Sequence, residues 1–392
     1  MARNRSATSS YRTSCSTSWS RARPPGPARS NLVQPASAWS GSRDVSTNTV
    51  TSMSTPRISV LMPVYNAAGT LPEALQSIAA QTLGDFEVIA VDDGSDDDSG
   101  MILEAWGRGD RRIQPVRPGR VGLVEALNLG LSRCRGEWVA RMDADDRMRP
   151  DRLARQAALL DARPDISVAG SLVEIFAEGA VGEGMKVYEA WLNSLVEPGD
   201  IAREIFIESP IAHPSAMVRR DELVELGGYR DTGWPEDYDL WLRYHATGQR
   251  FAKVPEVLLY WREHADRLTR TDARYSVENF LRVKAHFLVN GPLQNRDGLI
   301  VWGAGQTGRR LTRHIVRMGR PVDAFVDISP RKIGSRMRDA PIVGPEELVS
   351  AWSRYRHPML IVAVSSRGAR KLIRQALADS GLVEVKDFLC AA

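Results

Sequence analysis

The sequence predicts an α/β protein: a mostly parallel sheet flanked by helices, followed by a smaller α/β unit of the same general build. Three observations carry this. Short continuous apolar runs such as ISVLMPV at 58–64 are the mark of strands buried on both faces. Stretches with apolar residues at helical spacing alternate with them, the order expected of right-handed βαβ units. The alternation pauses near residue 290 and starts afresh at 298.

The chain has 392 residues, room for two or three domains, and its 43% hydrophobic and 26% charged content suits a globular protein. The net charge of +4 is uneven. Residues 1–53 hold seven Arg, no Lys and one acid, which leaves 45 basic and 47 acidic residues for the rest. The remainder is close to neutral, so no nucleic-acid partner is expected. Cys15, Cys134 and Cys390 are distant and odd in number, which fits a reducing compartment better than a disulfide framework. No apolar run reaches the length needed to span a membrane.

Residues 1–56 read as a disordered Ser/Thr/Arg-rich tail without apolar periodicity. A transit peptide has similar composition, and a start at Met53 is an equal reading. The fold begins at Arg57. After the strand 58–64 comes the loop YNAAG. The segment 70–82 reads as a helix, with Thr70 and Glu73 in capping-box spacing. FEVIAVDDGSDDDSG (86–100) is a second buried strand that ends in acids and turn residues. A helix follows over 121–136. WVARMDADD is the third strand, and Pro150 and Asp151 open a helix to 162. The segment 171–210 looks helical and would cover an acceptor side. A helix over 272–290 would close the first domain, 57–290, by plain packing.

In such sheets ligands bind beyond the carboxyl ends of the strands. There lie Asn66 with its loop, Asp92 and Asp93, and the run Asp143, Asp145 and Asp146. Repulsion within that run calls for something positive. If the strand persists, Asp143 and Asp145 point to one side. Two oxygen ligands at a sheet mouth suit Mg²⁺ or Mn²⁺, with a diphosphate completing the shell. The plainer reading is that Asp146 and Asp151 serve the turn and the next helix. In WPEDYDLWLR (234–243), Pro235 marks a helix start, so Glu236 and Asp237 lie at its N-terminus. The macrodipole there favours an ionised base by about 0.3–1 kcal/mol; the plainer reading is that the pair merely complements the dipole.

The stretches ISVLMPVYNAAGTLPEALQSIAAQT, FEVIAVDDGSDDDS, GEWVARMDADDRMRPDRL and WPEDYDLWLR together resemble the family 2 glycosyltransferases of GT-A fold, from about Arg57 to about His264. The resemblance implies a metal-dependent, hexosyltransferase-like enzyme. It would move a sugar, with inversion, from a nucleotide-diphosphate donor to a hydroxyl of a glycan or lipid-linked acceptor, in cell-surface polysaccharide or glycan synthesis. Carried onto this chain, Pro63, Tyr65, Asn66 and Asp93 would hold the nucleobase, with Asp92 beside them. Asp143 would face the ribose and metal, Asp145 would ligate the metal, and Asp237 would be the base with Glu236 as neighbour. Relatives carry a His in the regions of His213 and His264, so His264 would add a metal or phosphate contact. The resemblance places the enzyme in the cytoplasm, with peripheral contact at the inner membrane face left open.

The second unit, 291–392, restarts with a strand, GAGQTG (303–308) and a helix, so Gly303, Gly305 and Gly308 occupy a dinucleotide-type context. The next strand ends in Asp327, near the spacing for a ribose contact. The unit resembles the Rossmann-like nucleotide-sugar-binding N-terminal domains of sugar O-acyltransferases; the plainer reading uses these glycines for packing. GAGQTG also carries two competing functions: a nucleotide-dependent oxidoreductase, or a non-catalytic nucleotide-sugar-binding protein. Redox chemistry would need a substrate domain and a His or Lys/Tyr arrangement that the sequence does not offer. The acidic strand ends favour the transferase.

Overall fold

Strand β1 (Ile58–Val64) is buried at every residue, and so is β2 (Phe86–Asp92) beside it, as continuous apolar runs require. The computed structural model describes residues 55–366 and 368–392; the expectation for the tail up to residue 54 lies outside them. Between β1 and β2, α1 (Leu71–Ala79) buries Leu71, Ala74, Leu75 and Ile78. Then follow α2 (Ser99–Gly109), β3 (Ile113–Val116), α3 (Leu123–Arg133), β4 (Trp138–Arg141), β5 (Arg147–Met148), α4 (Arg152–Ala162) and β6 (Val168–Phe176). Next come α5 (Glu183–Ser194), α6 (Pro198–Glu204), β7 (Met217–Arg219), α7 (Arg220–Glu225), α8 (Glu236–Ala246), β8 (Phe251–Arg262), α9 (Leu268–Thr271) and α10 (Val277–Val289).

These eight strands form one sheet in the order β3-β2-β1-β4-β7-β6-β8-β5. Strands β1 to β4 pair in parallel. Strand β7 is antiparallel to both β4 and β6, and β6 runs parallel to β8. The fold class is therefore the α/β, mostly parallel sheet that the sequence predicts.

Several local expectations fail for physical reasons. The helix α2 and the edge strand β3 were not foreseen: α2 starts at Ser99, inside residues that read as turn, and β3 is only four residues with a proline. The capping box at Thr70 does not form. Thr70 is itself helical in backbone, and its hydroxyl donates to Ala67 O (3.3 Å) and Ala144 O (3.1 Å). Glu73 instead accepts from Arg262 (2.6 Å). Asp151 caps nothing and pairs with Arg149 and Arg155. The segment 171–210 begins as strand β6 before its two helices.

The second sheet comprises β9 (Gly298–Trp302), β10 (Ala324–Val326), β11 (Arg336–Met337), β12 (Ala340–Val343), β13 (Pro358–Val362) and β14 (Phe388–Cys390). Helices α11 (Gln306–Arg317), α12 (Leu348–Trp352) and α13 (Ala369–Asp379) join them. The order is β11-β12-β10-β9-β13-β14, parallel throughout except for β11. One of three apolar clusters among the described residues runs from Leu61 and Leu127 through Leu288 to Leu311 and Ile361, so the two sheets share it. Buried Lys284 of α10 donates to Ile207 O (2.5 Å) and Ala391 O (3.4 Å), tying the end of the second sheet to the turn after α6.

Candidate active site

The carboxyl ends of β1, β2 and β4 open into one cleft of about 1090 Å³. Pro63, Tyr65, Asn66, Asp93, Asp143, Asp145, Glu236, Asp237 and His264 all line it. Of the first-domain acids singled out at strand ends, Asp146 is not in this lining, and neither is Asp92. Asp92 is buried, accepts from Ser95 N (2.9 Å) and pairs with Arg117 (3.3 Å), so it shapes the turn beneath the rim.

At one end of the cleft, Asp93 Oδ1 accepts from Val121 N (2.7 Å) and Gly122 N (2.8 Å), while Oδ2 pairs with Arg120. This reach needs a close backbone approach. Gly94 has φ 69°, and a Cβ there would lie 2.6 Å from Arg120 N. The Arg120 guanidinium stacks 3.6 Å from the centre of the exposed Tyr65 ring. Asn66, at φ 48°, accepts from Asp96 N (2.9 Å) and donates to Ser95 Oγ (3.0 Å). Nothing local in the sequence distinguishes Arg120 from other surface arginines.

The acid run sits differently from the sequence expectation. Strand β4 ends at Arg141, so Asp143 and Asp145 do not share a strand face. A turn gathers them instead, and it brings in Asp146: ligand atoms of all three lie within 4.8 Å of one another. Asp143 pairs with buried Arg141 (2.6 Å), and Asp145 Oδ2 meets His264 Nε2 (2.9 Å). Asp146 does not cap α4. Its Oδ1 accepts from Arg262 N (2.8 Å), and its Oδ2 is buried with no partner among the described residues. Arg262 Nε also donates to Asp145 O (2.7 Å). Behind the turn, fully buried Arg152 donates to Arg141 O (2.9 Å). The positive charge that the sequence demands is thus supplied by Arg141, Arg152 and Arg262. It does not suffice: burial and then Asp143 push Asp145 up, and burial with Asp145 and Asp143 pushes Asp146 well up.

A hard divalent cation fits this turn. The donors are carboxylate oxygens and one imidazole nitrogen, the remaining repulsion is of the kind a cation relieves, and one buried oxygen has no partner among the described residues.

Across the cleft, Glu236 is buried at the start of α8 and accepts from the Tyr275 hydroxyl at 2.9 and 2.8 Å. Asp237 accepts only from Tyr238 N (2.7 Å) among the described residues. The helix dipole does not set its charge, contrary to the sequence expectation. Burial, and then the neighbouring Glu236, push Asp237 up to about 8. A dipole term of about 0.3–1 kcal/mol is too small to offset desolvation on that scale. His213 also lines the cleft. Burial and then Arg141 hold it well below the usual imidazole range, and its Nε2 meets Tyr229 OH (3.1 Å). Tyr188 and Trp261, with ring centres 6.3 Å apart, give the cleft an aromatic wall.

In the second sheet, Gly303, Gly305 and Gly308 lie between β9 and α11, the context the sequence predicts. Gly303 has φ 122°, and a Cβ on Gly308 would fall 1.9 Å from Gly303 O, so both serve a tight turn. Gly305 faces open space. Asp327 accepts from Ala304 N (2.9 Å), Ser329 N (2.9 Å) and Lys332 Nζ (2.8 Å).

The profile named Glycosyl transferase family 2 matches residues 59–227. EpsE of Bacillus subtilis, which carries a glycosyltransferase assignment, is 34% identical over 233 residues, 58% of this chain and 81% of EpsE. The UDP-Gal:alpha-D-GlcNAc-diphosphoundecaprenol beta-1,3-galactosyltransferase of Escherichia coli is 28% identical over 252 residues, 63% of this chain and 88% of that protein. A crystal structure of S. aureus TarS 1-349 in complex with UDP-GlcNAc is 21% identical, with TM-score 0.48, covering 60% of this chain and 67% of that one.

Proposed function

The chain belongs to glycosyl transferase family 2, and on that premise we propose that its cleft binds a nucleoside-diphosphate sugar and a divalent metal, Mg²⁺ or Mn²⁺. The sugar passes with inversion to a hydroxyl of a glycan or lipid-linked acceptor. One observation carries the reading: the Tyr65–Arg120–Asp93 corner, the acid turn and the Glu236–Asp237 pair all line one cleft of about 1090 Å³. Nucleobase, diphosphate and acceptor each have a chemically suited wall. The E. coli relative's name specifies a diphosphoundecaprenol-linked acceptor, which supports a lipid-linked one here. The enzyme then works on the cytoplasmic side, at the inner membrane face.

Asp143 and Asp145, with His264, would hold the cation, and Asp146 would complete the turn. Bound there, the cation supplies positive charge to the departing diphosphate. Asp237 accepts the proton of the acceptor hydroxyl as its oxygen bonds to the anomeric carbon and the bond to the donor phosphate breaks. Glu236, held by Tyr275, lies beside Asp237 and helps to raise its basicity. Tyr65 and Arg120 present a flat cationic stack to the base, and Asp93 fixes Arg120. The second sheet supports this cleft through α10 and Lys284.

The test is a thermal-shift screen of nucleoside diphosphates and their sugars, with and without Mn²⁺, followed by transfer assays with the stabilising donor. Stabilisation that requires both metal and diphosphate is expected. No stabilisation by any nucleoside diphosphate would overturn the reading.

A further inference from the structure

Residues 54–392 are near neutral as a whole, with 45 basic and 47 acidic residues, yet their charge is segregated. Residues 306–338 hold eight Arg and one Lys against two acids. Arg309, Arg313 and Arg317 follow one another at four-residue spacing on α11, which puts them on one face. A fourth guanidinium joins them from the hairpin between β11 and β12. Arg338 and Asp339, at φ 51° and 62°, make a left-handed two-residue turn. That turn lays Arg338 over the helix, donating to Thr312 Oγ1 (3.1 Å) and Arg309 O (2.8 Å). Burial and then Arg313, Arg309 and Arg317 hold Arg338 below its usual value, as expected where like charges crowd.

Glu278 neutralises only one flank of this group, pairing with Arg310, Arg313 and His314. Arg309, Arg317 and Arg338 have no carboxylate partner among the described residues. Repulsion of this kind costs stability within the chain, and an external anion relieves it.

We infer that this arginine face docks the enzyme on an anionic lipid bilayer. The inference rests on the reading that the acceptor is lipid-linked. Three observations select a bilayer. Three of the charges lie along one helix face with the fourth laid over it, which suits an extended surface. No aromatic residue of 306–338 is exposed to stack on bases, since Phe325, the one aromatic there, is fully buried. The face also adjoins the cleft: Glu278, which binds Arg310 and Arg313, lies three residues beyond Tyr275, which binds Glu236. No helix among the described residues is long and apolar enough to cross a membrane, so a surface contact is the way this part of the chain meets such an acceptor.

The test is sedimentation of the full chain with phosphatidylcholine vesicles and with vesicles containing about one third phosphatidylglycerol. Binding to the anionic vesicles only, weakening as salt rises, is expected. Each arginine near the surface contributes about fivefold in partition, so Arg309→Gln/Arg317→Gln/Arg338→Gln should lose roughly a hundredfold. Its melting temperature should not fall, since the repulsion is removed, and its transfer to a soluble acceptor should stay unchanged. Wild-type partition by the triple variant overturns the inference, even if residues 1–53 carry the binding. Salt-labile binding to single-stranded nucleic acid without vesicle binding also overturns it. Vesicle binding needs no turnover, so a chain that binds vesicles but no nucleoside diphosphate sinks the transferase reading, whereas one that transfers sugar without vesicle binding sinks only this inference.

Discussion

Two strand ends in this molecule look alike in sequence and behave differently in structure. After β4 the chain enters Asp143–Asp146, and after β10 it reaches Asp327. The second carboxylate is fully occupied by its own surroundings: two backbone amides and Lys332. A ribose placed there would compete with these donors. The first group is left in deficit. Three carboxylates converge, burial and mutual repulsion raise two of them, and one buried oxygen has no partner among the described residues. The difference teaches that a charged strand end becomes a ligand site when the fold withholds its internal partners, and a structural corner when it supplies them.

The comparison can be sharpened from the base outward. Asp237→Asn retains size but cannot take the acceptor proton, so transfer should fall by about 10²–10⁴-fold with donor affinity little changed. The pH profile of kcat/KM should rise toward a plateau above about 8, because the ionised form is the active one. The sign for stability is opposite. The folded state holds the Asp237 proton more tightly than the unfolded chain, whose value is near 3.8. Its contribution is therefore fully present below that value and is lost as pH rises through about 8. Asp237→Asn should flatten that part of the stability curve. If transfer is unchanged by Asp237→Asn but lost in Glu236→Gln, the base is Glu236.

Next in size is Asp146→Asn. Asp146 orients Arg262 and closes the acid turn, and such supporting partners typically matter by about 10–100-fold in metal affinity or activity. Titration of Mn²⁺ into the variant checks this; unchanged affinity would reduce Asp146 to a turn residue. The smallest effect on transfer belongs to Asp327→Ala. Orphaning its donors should cost about 1–3 kcal/mol of stability, read by denaturant unfolding, with transfer by the surviving folded enzyme unchanged. A selective loss of nucleotide binding in that variant would make the second loop a site like the first and remove the contrast.

The parts legible in the sequence are those with local causes. Strands β1 and β2 are buried on both faces, so their apolar runs need no context to be read. Pro235 announces the start of α8. Dense acids at strand ends mark the cleft because parallel sheets open there. What escaped depends on long-range contact. Arg262 meets Asp146 across 116 residues, and Tyr275 meets Glu236 across 39. The turn that recruits Asp146 replaces the strand geometry assumed for Asp143 and Asp145. The raised Asp237 follows from burial by residues scattered along the chain, which no helix-terminus rule can foresee. The arginine face was hidden by averaging, since acids elsewhere cancel it in the net charge.

The central claim, that the deficit at the acid turn is filled by a metal-bound nucleoside diphosphate, is tested most directly by calorimetric titration of Mn²⁺ into the full chain with UDP or GDP present, compared with Asp145→Ala. The account predicts saturable, diphosphate-dependent Mn²⁺ binding to the wild type, together with transfer that EDTA abolishes and Mn²⁺ restores. In Asp145→Ala, transfer should fall by about 10²–10³-fold, the scale of losing one preorganised electrostatic stabiliser, and metal binding should weaken in parallel. Full transfer by EDTA-treated wild type, or undiminished Mn²⁺ binding by Asp145→Ala, would contradict it.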